Sequence, residues 1–552
     1  MTTVADAVGA ALAQAGVRTV FGVVGSGNFH VTNALTAGGA RFVAARHEGG
    51  AAVMADAYAR LSGELGVLSV HQGPGLTNAL TGITEAAKSR TPLLILAPAA
   101  TNPRSNFYLD DAALATAVGA VPVRLGAAAT AAADLARACR IAVTERRTVL
   151  LSMPLDVQAA AASPFTLPAV PPATLPAPAS EAVAALADAL TAARRPVFLA
   201  GRGARNAGKE IKHLSERTGA LLATSAVSRG LFRDAPFSLD VSGGFATPVA
   251  ADLIKDADLL VGWGCALNMW TLRHGTLVGD NTTVVQVDLD PDALGAHHRI
   301  DLGVTGDTAA TARAVHEELD RRAGGPPPPG EWPRGYRSAE IAGRLAREGR
   351  WRDVPYSEAH EQGRIDPRTL SIALDDMLPA QRTVAVDSGN FMGYPAMYLD
   401  VPGADGFVFT QAFQSIGLGL ATAIGAAVAR QDRLTVAALG DGGLLMSVAD
   451  LETAVRLGLD LLVVVYDDEA YGAEVHHFGP DGYPLDHVTF PPADIAGIGR
   501  GFGCAAVTVR APADLDAVAA WLAGPRDRPM VVDAKVTRGE PSWWLAEAFR
   551  GH

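Results

Sequence analysis

Two aspartates carry the first chemical signal. Asp441 sits in Gly440-Asp441-Gly442-Gly443 after the apolar run 434–439, and Asp468 follows the apolar run 461–466. Between them Val448, Leu451, Ala454, Val455 and Leu457 recur at helical spacing, so the pattern predicts strand, glycine turn, one crossover helix, strand and acidic turn. A fully apolar, β-branched run such as LLVVVY is expected of a buried parallel strand. Both carboxylates then lie just past the C-terminal ends of two strands, the edge at which open α/β sheets bind ligands. Glycines there admit a phosphate close to the backbone, and a helix start favours an anion. A hard cation such as Mg²⁺ takes oxygens from one or two carboxylates plus substrate phosphates. The implied chemistry is a metal-bridged diphosphate. GDG by itself would fit an ordinary βαβ unit with acidic turns; the strand and helix context gives it weight.

Other residues stand at similar strand ends. Glu48 lies at the strand-to-helix turn of RFVAARHEGGAAVMADAYAR (41–60), where a carboxylate also suits the helix dipole. Ser26 lies in FGVVGSGN (21–28) and His71 opens HQGPGLTNAL (71–80), alongside Asn28, His30 and Gln72. A turn serine and a satisfied strand-end histidine are the plain readings of that pair. AYGAEVHHFG (470–479) predicts a helix after the acidic turn, with Glu474 one turn before His477.

The frame that must position these residues is large. The chain has 552 residues, so about three domains are expected. Apolar content of 49% and charged content of 19% describe a packed globular protein. A net charge of −12 argues against nucleic acid as the main partner. Cys139, Cys265 and Cys504 form no metal or disulfide pattern, which suits a reducing cytoplasm. The N-terminus reads as an amphipathic helix beginning near Thr2 or Thr3 rather than a signal peptide, and no apolar run reaches the length of a membrane span. Strand-like runs alternate with helical patterns in three blocks, at 1–165, 185–330 and 365–540, followed by a tail at 541–552. The expected fold class is α/β, three doubly wound parallel-sheet domains. An Ala/Pro-rich linker spans 158–180, and GPPPPGEWPRG (325–335) closes the middle block. The tail carries Trp543-Trp544, either a lid over the site or an anchor to the body or to a subunit.

The stretch 440–472 resembles the diphosphate signature of thiamine-diphosphate (ThDP) enzymes, in which GDG, a helix and a strand precede an Asn pair; here Asp467-Asp468 replaces that pair. The resemblance implies pyrimidine-binding (PYR), middle and diphosphate-binding (PP) domains. It implies Mg²⁺ ligands from Asp441, the Asp468 side chain and the Ala470 carbonyl, with Gly440, Gly442, Gly443 and Tyr471 around the cofactor. VDSGNFMGYP (386–395) would bring Gly389 and Asn390 to the diphosphate. QAFQSIGLGLATAIGAAVAR (411–430) would supply Ile416 as the wedge between the cofactor rings. Glu48 would hydrogen-bond N1′ of the aminopyrimidine and help draw the proton from thiazolium C2. Active sites would lie between subunits of a homodimer or homotetramer.

Within the family the general pattern is similar to acetolactate synthases, implying 2-keto acid decarboxylation followed by carboligation to a second aldehyde or ketone carbonyl. Two synthase features are missing. GWGCALNMWTLRHG (262–275) stands where the family has an arginine-containing RFDDR-like segment, and 97–111 lacks its glutamine-bearing loop, which argues against the synthase substrate pocket and against the structural FAD of that enzyme. GRGARNAG (201–208) marks a turn more than a nucleotide site. Ser26 and His71 instead resemble active-site residues of benzoylformate decarboxylase, which implies simple decarboxylation; its second histidine has no match, with Asn268, Met269 and Trp270 nearest. His477 would face the substrate. A non-catalytic ThDP-fold regulatory subunit is the alternative of a different class.

Overall fold

The computed structural model describes residues 2–170, 175–325 and 335–548. Most of the proline-rich closure of the middle block (326–334), part of the linker (171–174) and the end of the tail (549–552) lie outside the described residues.

Three six-stranded sheets follow one another along the chain. The first contains Thr19–Gly22 (β1), Arg41–Ala44 (β2), Gly66–Ser69 (β3), Leu93–Ala99 (β4), Val121–Arg124 (β5) and Thr148–Pro154 (β6). The second contains Pro196–Ala200 (β7), Leu221–Thr224 (β8), Ser238–Val241 (β9), Leu259–Trp263 (β10), Thr283–Asp288 (β11) and Leu302–Thr305 (β12). The third contains Arg382–Val386 (β13), Phe407–Phe409 (β14), Leu434–Gly440 (β15), Leu461–Asp467 (β16), Ala505–Val509 (β17) and Met530–Lys535 (β18). All neighbouring pairs in the three sheets are parallel. The first sheet runs β2-β1-β3-β4-β6-β5 and the third β14-β13-β15-β16-β18-β17, so the two share one topology. The middle sheet runs β12-β11-β10-β7-β8-β9.

Six helices matter to the site: Glu48–Ser62 (α1), Pro74–Lys88 (α2), Gly419–Ala429 (α3), Asp441–Ser447 (α4), Asp450–Arg456 (α5) and Gly472–Phe478 (α6). α3 is buried from Gly419 to Val428, as expected of a helix apolar all round. It lies between its own sheet and α1. At Gly425 a Cβ would sit 2.2 Å from the Met54 carbonyl oxygen, so only glycine allows this approach. Met54, Ala51 and Ile83 of the first domain therefore share one core with Leu420, Ile424 and Leu451 of the third. A buried ion cluster spans the same junction. Arg60 pairs with Asp56 (2.7 Å) and Glu85 (2.9 Å), and it donates to the Phe409 carbonyl. Glu85 in turn accepts from the amides of Ala412 and Phe413.

Two local expectations are corrected. The glycine turn at 440–443 is not a loop: β15 runs through Gly440 and α4 begins at Asp441. The single crossover helix is two short helices. At Val448 and Ala449 the bonding tightens to three-residue turns, and α5 starts with Asp450 buried against the first domain. The N-terminal helix Val4–Gln14 begins at a capping box of Thr3 and Asp6. Among the described residues no helix is long and apolar enough to cross a membrane.

Candidate active site

Parallel pairing of β15 with β16, which puts Gly440 opposite Tyr466, sets Asp441 and Asp468 side by side at one sheet edge. Asp441 is the first residue of α4 and is buried. Burial, then the neighbouring Asp468 and Asp467, push its carboxyl well above the carboxylate range. Burial and Asp467 also push Asp468 up, against the Ala470 amide and Arg364, which favour its charge. Among the described residues neither carboxylate has an ion-pair partner, so their repulsion is only partly offset, by backbone amides and the more distant Arg364. Ala470 faces Thr489 across an isolated bridge. The bonds there run from Tyr471 to the Val488 carbonyl and from Phe490 to the Glu469 carbonyl, and the Ala470 carbonyl accepts no hydrogen bond from the described residues. Two carboxylates and one free carbonyl form a hard-oxygen donor set that suits Mg²⁺ sharing its shell with phosphate and water. No group of three His, Cys, Asp or Glu side chains able to hold a metal by themselves occurs among the described residues.

Glycines line this edge closely. A Cβ at Gly442 would meet the Tyr471 ring at 2.6 Å, and one at Gly472 would meet Asp468 Oδ2 at 2.2 Å. A Cβ at Gly440 would press on the Phe391 ring. Asn390 stands beside Gly472, 3.3 Å from where its Cβ would be. The tail anchors here. Ser542 donates its amide to Asn390 Oδ1 (3.0 Å), and Trp544 Nε1 donates to the Asn390 carbonyl (2.9 Å). Trp544 also packs against Trp270 and Phe245 of the middle domain. Ile416 is half-buried in a turn before α3 rather than in the helix.

Asp387 was missed from sequence. It sits at the end of β13 and accepts from the amides of Ser388 (2.8 Å), Gly417 (3.1 Å) and Leu418 (3.3 Å). A Cβ at Gly443 would fall 2.5 Å from its Oδ2. One carboxylate thus joins the loops bearing Gly389 and Ile416 to the first turn of α4 at Gly443. Burial raises its pKa to about 6 in spite of those amides. An aspartate ending an apolar strand just before Ser-Gly was the available clue.

The first sheet presents a second cluster. Glu48 opens α1, and its Oε2 accepts from Asn78 Nδ2 at 3.1 Å. At Gly75 a Cβ would lie 3.3 Å from Glu48 Oε1 and 3.2 Å from His71 Cβ, so the carboxylate and the imidazole flank the start of α2. His71 Nδ1 accepts from the Gly27 amide at 3.3 Å. The neutral ring therefore carries its proton on Nε2. The Gly25-Ser26-Gly27 loop folds against this ring, with Ser26 exposed. Phe107 packs edge-on to His71 at 5.5 Å. Asn28 is structural, bonding the Gly25 amide, the Val23 carbonyl and Ser69. Gln72 is buried with Oε1 unpartnered, while His30 is exposed. Asp450, read in sequence only as part of the crossover, accepts from the Arg46 amide at 2.9 Å and ties the Glu48 turn to the third domain.

Among the described residues no hydrogen bond or ion pair joins Glu48, His71 or Ser26 to Asp441 or Asp468. His477 is half-buried on α6 against Phe478. Val24, Phe29, Phe107 and Tyr108 are exposed near the first cluster, as are Phe413, Leu445 and Met446 near the second.

Two copies of one parallel-sheet topology, one ending in a metal-suited carboxylate pair and the other in a glutamate–histidine cluster, define an α/β enzyme built around a diphosphate cofactor. Family models agree. The thiamine pyrophosphate enzyme N-terminal TPP binding domain matches residues 2–114, the central domain residues 183–315 and the C-terminal TPP binding domain residues 387–534. The chain is 32% identical over 523 residues to a probable 2-ketoarginine decarboxylase, AruI, of Pseudomonas aeruginosa, covering 92% of this chain and 88% of that one. It is 29% identical to a catabolic acetolactate synthase of Raoultella terrigena, covering 96% of each. It is 27% identical to a sulfoacetaldehyde acetyltransferase of Rhodobacter capsulatus, over 84% of this chain and 81% of that one. The chain belongs to the thiamine pyrophosphate enzymes.

Proposed function

We propose that the chain is a Mg²⁺- and ThDP-dependent enzyme that decarboxylates a 2-keto acid in a site completed by a second copy of the chain. The observation that carries this reading is the unpaired carboxylate couple of Asp441 and Asp468 beside the free Ala470 carbonyl. These three would hold the metal. Gly389, Asn390, Gly440, Gly442, Gly443 and Tyr471 would enclose the diphosphate, and Ile416 would prop the cofactor. When bound, ThDP supplies the carbanion chemistry that expels CO₂ from a 2-keto acid. Glu48, oriented by Asn78, would move a proton at the aminopyrimidine N1′. Ser26 would receive the substrate carboxylate, and His477 with Glu474 would face the substrate from α6. Among the described residues no hydrogen bond or ion pair joins the two clusters, and both have apolar rims, which supports pairing of the first domain of one copy with the third domain of another.

After CO₂ loss one course is protonation and aldehyde release, in which His71 would first take up a proton on Nδ1 in place of the Gly27 contact and then deliver the proton on Nε2. The resemblance of the whole chain to an acetolactate synthase supports a second reading, ligation to another carbonyl. The reading needs no FAD. In the middle sheet, at the ends of neighbouring β7 and β10, the Gly203 amide of the glycine-rich turn is spent on the Gly264 carbonyl at 3.0 Å. A panel of 2-keto acids with ThDP and Mg²⁺, with and without an acceptor aldehyde, tests the reading through CO₂ release and product identification. Aldehyde alone supports protonation, hydroxyketone supports ligation, and no CO₂ from any keto acid refutes the proposal.

A further inference from the structure

The metal loop carries three consecutive acids, Asp467, Asp468 and Glu469, and the chain supplies separate cations for the outer two. Asp467 and Lys535 are register partners at the ends of β16 and β18. Lys535 Nζ donates to Asp467 Oδ2 and to the Ala493 carbonyl (2.9 Å), and it lies 3.1 Å from Asp533 Oδ1. The three side chains are 5%, 2% and 1% exposed for Lys535, Asp467 and Asp533. Asp467 Oδ1 in turn accepts from the Glu469 amide at 3.1 Å, which fixes the turn carrying Asp468. Glu469 takes a left-handed backbone conformation (φ 57°), and its carboxylate is held by Arg364 (2.5 Å) and Arg538 (3.1 Å). Among the described residues Asp468, between them, forms no ion pair, and Arg364 reaches it only at longer range. A buried acid left without its partner is strongly disfavoured, so an aspartate at 467 creates a requirement that an amide there would not.

We infer that Lys535 is a positioning residue for the metal loop: it neutralises Asp467, so that Asp467 can hold the Glu469 amide while Asp468 alone faces the cation. This rests on the proposed Mg²⁺–ThDP site. The role makes a specific demand: Lys535 is needed because Asp467 is charged, so the two must couple in a double-mutant cycle. The measurement is titration calorimetry of ThDP at fixed Mg²⁺ for the unaltered chain, Lys535→Met, Asp467→Asn and the double variant. Lys535→Met weakens ThDP binding by about tenfold or more, within the range expected for groups that orient metal ligands. In the Asp467→Asn background the same change costs less than about threefold, because an amide oxygen still accepts from Glu469 without needing a cation. Lys535→Met leaves Asp533 without its cation in both backgrounds, so the Lys535–Asp467 coupling is read from the difference between the two losses. If Lys535→Met does not fold, recovery of a folded, ThDP-binding chain in the double variant supports the role, and its failure overturns it. Equal losses in both backgrounds, or no loss in either, overturn the inference alone. No binding by the unaltered chain overturns the site reading as well.

Discussion

At the scale of single residues, Glu48 and His71 make separable predictions. Glu48→Gln keeps the size and the Asn78 contact but cannot carry a proton. It should leave ThDP binding near that of the unaltered chain and lower turnover by about two to four orders of magnitude, the span of general acid–base catalysis. Turnover near the unaltered value would make Glu48 structural. His71→Ala removes the Nε2–H and should depress aldehyde release far more than ligation, since C–C bond formation needs a carbonyl rather than that proton. The ratio of hydroxyketone to aldehyde, at one keto acid and a fixed excess of acceptor, should therefore rise; a parallel fall of both products would move His71 to an earlier step. Asp441, Asp468 and Glu48 were legible in sequence because each lies within three residues of the end of an apolar run, so local pattern puts it at a strand end. Asp387 ends β13 inside VDSGNFMGYP, but that segment pointed only to Gly389 and Asn390, because the aspartate's role comes from the Gly417 and Leu418 amides contributed by another loop. Lys535 was not legible. It ends an ordinary apolar strand, and its meaning comes from a register with Asp467 that no local window contains.

At the scale of elements, the approach of α3 to α1 depends on Gly425. Gly425→Ala would place a methyl 2.2 Å from the Met54 carbonyl oxygen, a backbone atom that cannot swing aside. The helices must separate at a cost of about 1–3 kcal/mol, the usual range for overpacking. The expected outcome is a lower melting temperature followed by circular dichroism, and an unchanged one would contradict the close crossing. The existence of these helices and of their flanking strands could be read from periodicity. The break between α4 and α5 could not, because the apolar spacing runs through Val448 without interruption. What turns Asp450 inward is the Arg46 amide, contributed from the other end of the chain.

At the scale of the whole molecule, composition separates three blocks and the strand pattern makes each α/β. Nothing local in the sequence shows that the first and third share a core, since Met54 meets Gly425 only after both sheets have formed. The separation of the Glu48 cluster from the Asp441 cluster predicts complementation between chains. Equal mixing of Glu48→Gln and Asp441→Ala chains, with subunit exchange, should restore up to about a quarter of the sites in a two-fold dimer, because half the dimers are mixed and each holds one intact site. No recovery despite exchange would place both clusters in one chain's site. Cofactor capture by the carboxylate couple is the central event, and melting temperature with ThDP and Mg²⁺ reads it most directly, because a ligand that binds only the folded chain raises it by mass action. The unaltered chain should show a rise that needs both components and disappears in Asp441→Ala; a rise that persists in Asp441→Ala, or none in the unaltered chain, would contradict it.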